Sequence, residues 1–287
     1  MFAVTGTTGQ VGGAVARALL AAKLMVRAVV RDNAKGAPWA ARGCDIAIAE
    51  LTDVAAMTAA FRGVDGVFIL LPPNFDPAPG FPDALKIRTA VRAALEAARP
   101  GKVVCLSTIG AQATEFNLLS QLGMMEQEFA ALPMPVAFLR PGWFMENSKW
   151  DVAPARDTGV LQSFLQPLDK PVPMVATADV GAVAAEMLQE SWTGRRVVEL
   201  EGPCRITPSE IVASFSKVLE RPIRIETVPR DSWEDLFRAQ GMKHPTPRMR
   251  MLDGFNEGWI DFEAGREKSL KGTTSIETVI RRLVAGA

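Results

Sequence analysis

Through the first half of the chain, short and nearly continuous apolar runs alternate with longer stretches of helical period. Residues 2–5, 25–30, 45–49, 66–71, 102–107 and 136–139 read as strands, apolar on successive rather than alternate positions. Between them, residues 10–22, 54–62, 82–98 and 115–131 carry apolar side chains at three- and four-residue spacing, as Val11, Val15, Ala18 and Leu19 do. Strands that are hydrophobic on both faces need helices over both faces. With short connections and right-handed crossovers, the expectation is an α/β fold with a doubly wound parallel sheet of Rossmann type.

After about Asp151 the pattern changes. Prolines at 154, 167, 171 and 173 punctuate a loop-rich stretch. Thr177-Ala178-Asp179 then reads as the cap of a helix over 180–190, and residues 195–200 read as a further strand. Thr207-Pro208-Ser209-Glu210 has a hydroxyl cap, a proline in the first turn and a carboxylate three residues on, a strong helix start. Helices near 232–240 and 274–285 complete a smaller, mainly helical lobe. The division predicted is a dinucleotide-type domain over 1–150 and a substrate or partner lobe over 151–287. Parts of 172–200 return to the first sheet. The basic run Lys243-His244-Pro245-Thr246-Pro247-Arg248 reads as a solvated loop.

The turn after the first strand, Thr5-Gly6-Thr7-Thr8-Gly9-Gln10-Val11-Gly12-Gly13, places glycine at every third position. Gly6 permits a tight turn, Gly9 lets backbone approach a pyrophosphate, and Gly12 lets the helix pack closely on the sheet. The amides of the helix N-terminus, favoured by its dipole, then face the phosphates. Following a strand and opening a helix, the pattern indicates nucleotide binding. At the end of the second strand stands Arg31, with Lys35 close behind, which favours the extra phosphate of NADP(H). Asp32 keeps NAD(H) compatible, since a carboxylate there can hold ribose hydroxyls.

Charge and composition narrow the field further. The 287 residues carry 32 basic and 32 acidic side chains, so no electrostatic footprint points to nucleic acid or an anionic membrane. The length suggests about two domains at roughly 150 residues each. Cys44, Cys105 and Cys204 are scattered and read as reduced thiols packed inside a cytoplasmic protein. With a lone histidine, His244, and no CxxC pair, no metal centre is expected. No run approaches the ~18 apolar residues of a membrane span. Tyrosine is absent altogether.

Taken together, Thr5 to Gly12, the Arg31 strand end, Leu70-Leu71-Pro72-Pro73, and Leu139-Arg140-Pro141-Gly142-Trp143-Phe144-Met145-Glu146-Asn147 give the sequence a clear likeness. It resembles the NmrA-like group of atypical short-chain dehydrogenases/reductases, and within it the NADPH-dependent quinone oxidoreductases and triphenylmethane reductases. The segment Val172 to Gly181 also fits. The resemblance implies that Gly6, Thr8, Gly9, Gln10, Val11 and Gly12 line the pyrophosphate and Arg31 the adenosine phosphate. It sets Glu50 and Leu51 beside adenine, although the broader superfamily often has Asp-Leu there. Leu71 and Pro72 would border the adenosine ribose and diphosphate, Ser107 and Thr108 would lie under the nicotinamide, and Pro141, Gly142, Trp143 and Phe144 would flank its carboxamide.

The resemblance also carries a departure. Most catalytic members of the superfamily use Tyr-x-x-x-Lys on the helix after the fifth strand, and register from Glu126 puts Leu118 and Leu122 there. Leucine transfers no proton. Hydride transfer needs only the cofactor and a held acceptor. One reading is therefore a dyad-less NADPH reductase of flat electrophilic acceptors such as quinones or dyes. Trp143, Phe144 and Asn147 would contact substrate, with Thr108 or Asn147 as hydrogen-bond donors. The other reading is a non-catalytic sensor that binds NAD(P) and a protein partner. Blander roles stay open for each residue: Trp143 and Phe144 as interface packing, Asn147 as a cap, Met124 and Met125 as core filling. Either a monomer or a homodimer is compatible with the sequence.

Overall fold

The computed structural model describes residues 1–286. The sheet begins with β1 (Phe2–Thr5), β2 (Val26–Val30), β3 (Asp45–Ile48), β4 (Gly66–Ile69), β5 (Val103–Leu106) and β6 (Val136–Pro141). The helices among them are α1 (Gln10–Ala21), α2 (Asn33–Ala40), α3 (Val54–Phe61), α4 (Pro82–Ala98) and α5 (Ser120–Phe129). Next come β7 (Trp143–Phe144), α6 (Val152–Asp157), β8 (Val160–Ser163), β9 (Met174–Val175), α7 (Thr177–Gln189) and β10 (Arg195–Glu201). The chain ends with α8 (Pro208–Leu219), β11 (Arg224–Thr227), α9 (Trp233–Ala239), α10 (Thr246–Glu257), β12 (Leu270–Lys271) and α11 (Ile276–Ala285).

Eight strands form one sheet in the order β12-β10-β6-β5-β4-β1-β2-β3, and every ladder in it is parallel. Successive residues of a strand feed opposite cores. Val4 and Val104 join the cluster beneath α1 and α7, whereas Ala3, Val103 and Cys105 join the one beneath α3, α4 and α5. That two-sided burial is why the strands are continuously apolar. The order reverses between β1 and β4, and a crevice opens at such a switch point beyond the carboxyl ends of the strands. The Thr5 hydroxyl knits the two strands there, donating to Phe68 O at 3.2 Å and accepting from Leu70 N at 3.3 Å.

A third cluster, around Trp233, Phe237, Leu252 and Phe255, packs under the crevice segments Ile109, Leu118 and Met145. A fourth joins α6, α8 and α11 through Phe215 and Ile280. Among the described residues, no helix is long and apolar enough to cross a membrane.

Several expectations need correction. The helix drawn from residue 115 begins only at Ser120, because Asn117 holds a turn, accepting from Leu119 N at 2.7 Å and donating to Glu115 O at 2.8 Å. Residues 177–179 are the first turn of α7 and not its cap. The supposed loop at 243–248 gives way to α10 at Thr246, with Pro247 in its first turn where no amide partner is required. Helix α2 was not anticipated at all. Cys44 and Cys105 are buried, but Cys204 is exposed on the turn after β10. Burial pushes the Cys105 and Cys44 thiols up.

Candidate functional site

The site starts at the glycine turn. Gly6 has φ +65°, and a Cβ there would lie 2.8 Å from Leu70 Cδ2, so glycine is favoured. At Gly12 a Cβ would sit 2.3 Å from Gly6 O, which is why α1 can start directly against the turn. Gly9 is different: its Cβ position meets only Gly6 O, at 3.3 Å, and is otherwise open. No side chain caps α1, in contrast to α2, α3, α8 and α11, which are capped by Asp32, Asp53, Thr207 and Ser275. Its first-turn amides, Gln10 to Gly12, have no acceptor among the described residues. Val11 is buried in the core, so it offers the crevice only its N–H. Thr7, between the glycines, is 2% exposed and its hydroxyl has no partner among the described residues. Sequence reasoning passed over Thr7, although the motif itself contains it.

At the end of β2, Arg31 is exposed and makes no ion pair among the described residues. Asp32 turns away to cap α2. Its carboxylate accepts Lys35 N at 2.9 Å and lies 3.4 Å from Lys35 Nζ. The Lys35 amide, above all, holds the Asp32 carboxyl below its ordinary value. An arginine and a lysine thus flank this strand end, and its carboxylate is already engaged. Glu50 is exposed beyond β3, and Leu51 packs half-buried on the α3–α4 side.

Beyond β4, β5 and β6, the half-buried Leu70, Leu106 and Phe144 pack on one core and form an apolar floor. Leu71 and Pro72 border a cavity of about 130 Å³ with Phe81, Ile87 and Gln121. A wider space of about 470 Å³ lies between α7, β10 and β12, and no candidate cofactor or substrate residue lines it. Ser107 is turned inward, where its hydroxyl donates to Glu126. Thr108, next in sequence, is 8% exposed and its hydroxyl has no protein partner among the described residues. Leu118 lies in the turn ahead of α5 and Leu122 within the helix, both packed into cores.

Under this floor runs a saturated charge network. Arg140 grips Glu126 with two hydrogen bonds of 2.8 and 2.6 Å, reaches Glu263 at 2.7 Å and stands 3.8 Å from Glu199. Burial alone would lower the Arg140 pKa, but the Glu126 and Glu263 carboxylates raise it well above its ordinary value. The following Pro141-Gly142 segment is fixed by backbone. Pro141 O accepts Ile109 N at 2.9 Å, and a Cβ on Gly142 would lie 2.5 Å from Pro173 O. In β7, paired with β9, Trp143 packs edge-on against Phe255 at 5.2 Å, while Phe144 faces the other core. Glu146 caps α7 by accepting the Thr177 amide and hydroxyl. Asn147 is exposed on the next turn without a protein hydrogen bond among the described residues.

The sequence profile of the NmrA-like family matches residues 1–269. The chain belongs to that family. It is 30% identical to an NAD(P)H azoreductase of Xenophilus azovorans, over 90% of this chain and 85% of the other. It is 32% identical to a (4-alkanoyl-5-oxo-2,5-dihydrofuran-3-yl)methyl phosphate reductase of Streptomyces griseus, over 86% and 83% of the two chains. In fold it is similar to the NADPH complex of the Escherichia coli NADPH-dependent quinone oxidoreductase QOR2. The TM-score is 0.81 at 23% identity, and the match covers 99% of both chains.

Proposed function

We propose that this NmrA-like chain is an NADPH-dependent reductase that delivers hydride to a flat, electrophilic aromatic acceptor without a tyrosine–lysine dyad. The observation that carries the reading is the pairing of an open glycine cradle with an adjoining wall that has no proton-shuttling phenol. Its relatives, an azoreductase, a (4-alkanoyl-5-oxo-2,5-dihydrofuran-3-yl)methyl phosphate reductase and a quinone oxidoreductase, support a reductase.

The residues present suit the cofactor. Amides of Gln10, Val11 and Gly12 would hold the pyrophosphate at the side of Gly9 that carries no Cβ, with the Thr7 hydroxyl available as a further donor. Arg31 and Lys35 would hold the 2′-phosphate, and the commitment of Asp32 to α2 removes the carboxylate that an NAD site would use. Glu50 and Leu51 would flank adenine, and Leu71 and Pro72 the ribose. When bound, the reduced nicotinamide supplies the hydride. Pro141, Gly142 and Phe144 would fix its carboxamide side, and Leu106 and Phe144 would keep water from beneath it. The unengaged Thr108 hydroxyl would steady the acceptor, with Asn147 and Trp143 at the outer edge. Leu118 and Leu122 offer no proton, so a reduced quinone or azo group would take its proton from water. Orientation then supplies most of the rate, an effect worth up to ~7–11 kcal/mol.

The test is NADPH oxidation by purified protein against a panel of benzoquinones, azo dyes and triarylmethane dyes. Acceptor-dependent loss of NADPH absorbance is expected. Tight NADPH binding with no turnover across the panel would instead identify a redox sensor reporting to a protein partner.

A further inference from the structure

Among the described residues, several arginines that are partly drawn into the protein meet carboxylates, and Arg248 does not. Arg88 meets Glu128 at 2.7 Å, Arg140 meets Glu126, Arg205 meets Asp261 at 2.8 Å, and Arg230 meets Asp253 at 2.5 Å. Arg248, in the first turn of α10, has neither a carboxylate nor a carbonyl partner among the described residues. Its guanidinium lies over the Phe237 ring at 4.5 Å, and Nη1 reaches only the Met242 sulfur at 3.6 Å. Burial lowers its pKa, and no neighbouring charge offsets that effect. Several carboxylates of the same region are engaged elsewhere. Asp253 holds Arg230 and lies 3.5 Å from Arg250, Glu234 holds Arg238, and Asp76 caps backbone amides.

Its location gives this vacancy a meaning. Asp76, on the loop after β4, accepts the amides of Lys243 at 2.8 Å and His244 at 2.6 Å. The backbone N–H of Leu118, on the segment after β5, donates to Pro247 O at 2.8 Å. Two rims of the crevice therefore fasten onto the few residues from which Arg248 springs. A partly desolvated guanidinium without a counter-ion is costly, and its planar fork suits a carboxylate, sulfonate or phosphate bidentately.

We propose that Arg248 forms an anion subsite at the acceptor end of the crevice. The acceptor of this reductase would then be an aromatic carrying a negatively charged substituent. The inference rests on the reductase reading for the word acceptor, but its binding part can be tested separately.

Steady-state rates would be measured for 1,4-naphthoquinone and 1,4-naphthoquinone-2-sulfonate with wild-type protein, Arg248→Met and Arg248→Lys. Because each acceptor is compared with itself across variants, its intrinsic reactivity cancels. Arg248→Met should lower kcat/KM for the sulfonate by about thirtyfold, mainly through KM, and change the neutral quinone by less than about threefold. Arg248→Lys should restore part of the loss. Equal losses for both acceptors, or no loss for either, would overturn the subsite. Calorimetry on the NADPH-loaded protein supplies a readout without turnover, comparing naphthalene-2-sulfonate with naphthalene-2-sulfonamide. Preference for the sulfonate that disappears in Arg248→Met supports the subsite even if no quinone is reduced. Equal binding of the two in wild-type protein refutes it, whether or not Arg248→Met folds, while leaving the reductase reading intact.

Discussion

The rim of the crevice and the layer just beneath it are built on opposite rules. At the rim, donors are left unpaired among the described residues: the first-turn amides of α1, the hydroxyls of Thr7 and Thr108, and the Arg31 guanidinium. One layer down, Arg140, Glu126, Ser107 and Glu263 bond to one another. An unpaired buried donor costs roughly 1–3 kcal/mol, a cost that a bound ligand's acceptor would offset. The saturated layer does the reverse, fixing β5 and β6 so that the rim holds its shape. The contrast predicts that rim substitutions cost binding and leave stability, whereas substitutions beneath cost stability and leave binding.

The largest expected effect is at the glycine turn, where two glycines three residues apart separate the two costs. Gly9 has an extended backbone, φ −95° and ψ −179°, that any residue adopts, and its Cβ position meets only Gly6 O, at 3.3 Å. Gly9→Val should fold with a Tm within a few degrees of wild type. Its methyl groups would fill the phosphate side and weaken NADPH binding by a hundredfold or more, about 2.7 kcal/mol. Gly12→Ala places its Cβ 2.3 Å from Gly6 O, against backbone that cannot swing aside. It should lose about 1–3 kcal/mol of stability as well as the cofactor. Calorimetry and thermal melts on both variants check this. Retained NADPH affinity in folded Gly9→Val would mean that the turn cradles no phosphate.

Beneath the rim, Glu126→Ala strips the buried Arg140 of its two-point partner. Breaking such a pair typically costs 3–5 kcal/mol, and Glu263 and Glu199 remain close enough to hold this one near about 3 kcal/mol. That corresponds to a Tm lower by roughly 6–12 °C. NADPH affinity of the folded protein should stay within about twofold. A collapse of affinity at unchanged Tm would move this pair from the supporting layer into the binding rim.

Legibility in the sequence follows the same division. Strands buried on both faces wrote themselves as unbroken apolar runs, and the glycine turn followed from steric demands that few residues meet. Helix α2 stayed hidden because Asn33–Ala40 contains Gly36 and Pro38 and buries only Gly36 and Trp39, too little for an amphipathic stripe. The start of α10 was masked by its two prolines, which suit a loop and a first helical turn equally well. The Arg140–Glu126 pair spans two elements with no fixed spacing, so no motif could announce it. Arg248 looked like one cation of a solvated run. Only the packing of Phe237 and Met242 against it, with no carboxylate partner among the described residues, distinguishes it.

The smallest effects fall at the end of β2, where two adjacent residues of opposite charge test which belongs to the rim. Arg31 is exposed and unpaired, so Arg31→Ala should weaken NADPH binding about tenfold and leave NADH binding within about twofold. Tm should not move. Asp32→Ala should do the opposite, because its carboxylate is tied to Lys35 N at 2.9 Å and holds the start of α2. A Tm lower by a few degrees is expected, with the ratio of NADPH to NADH affinity unchanged. Parallel titrations of both cofactors against both variants decide the matter. If Asp32→Ala instead weakens NADH selectively, the carboxylate leaves its cap to hold ribose hydroxyls, and the preference for the phosphorylated cofactor loses its structural basis.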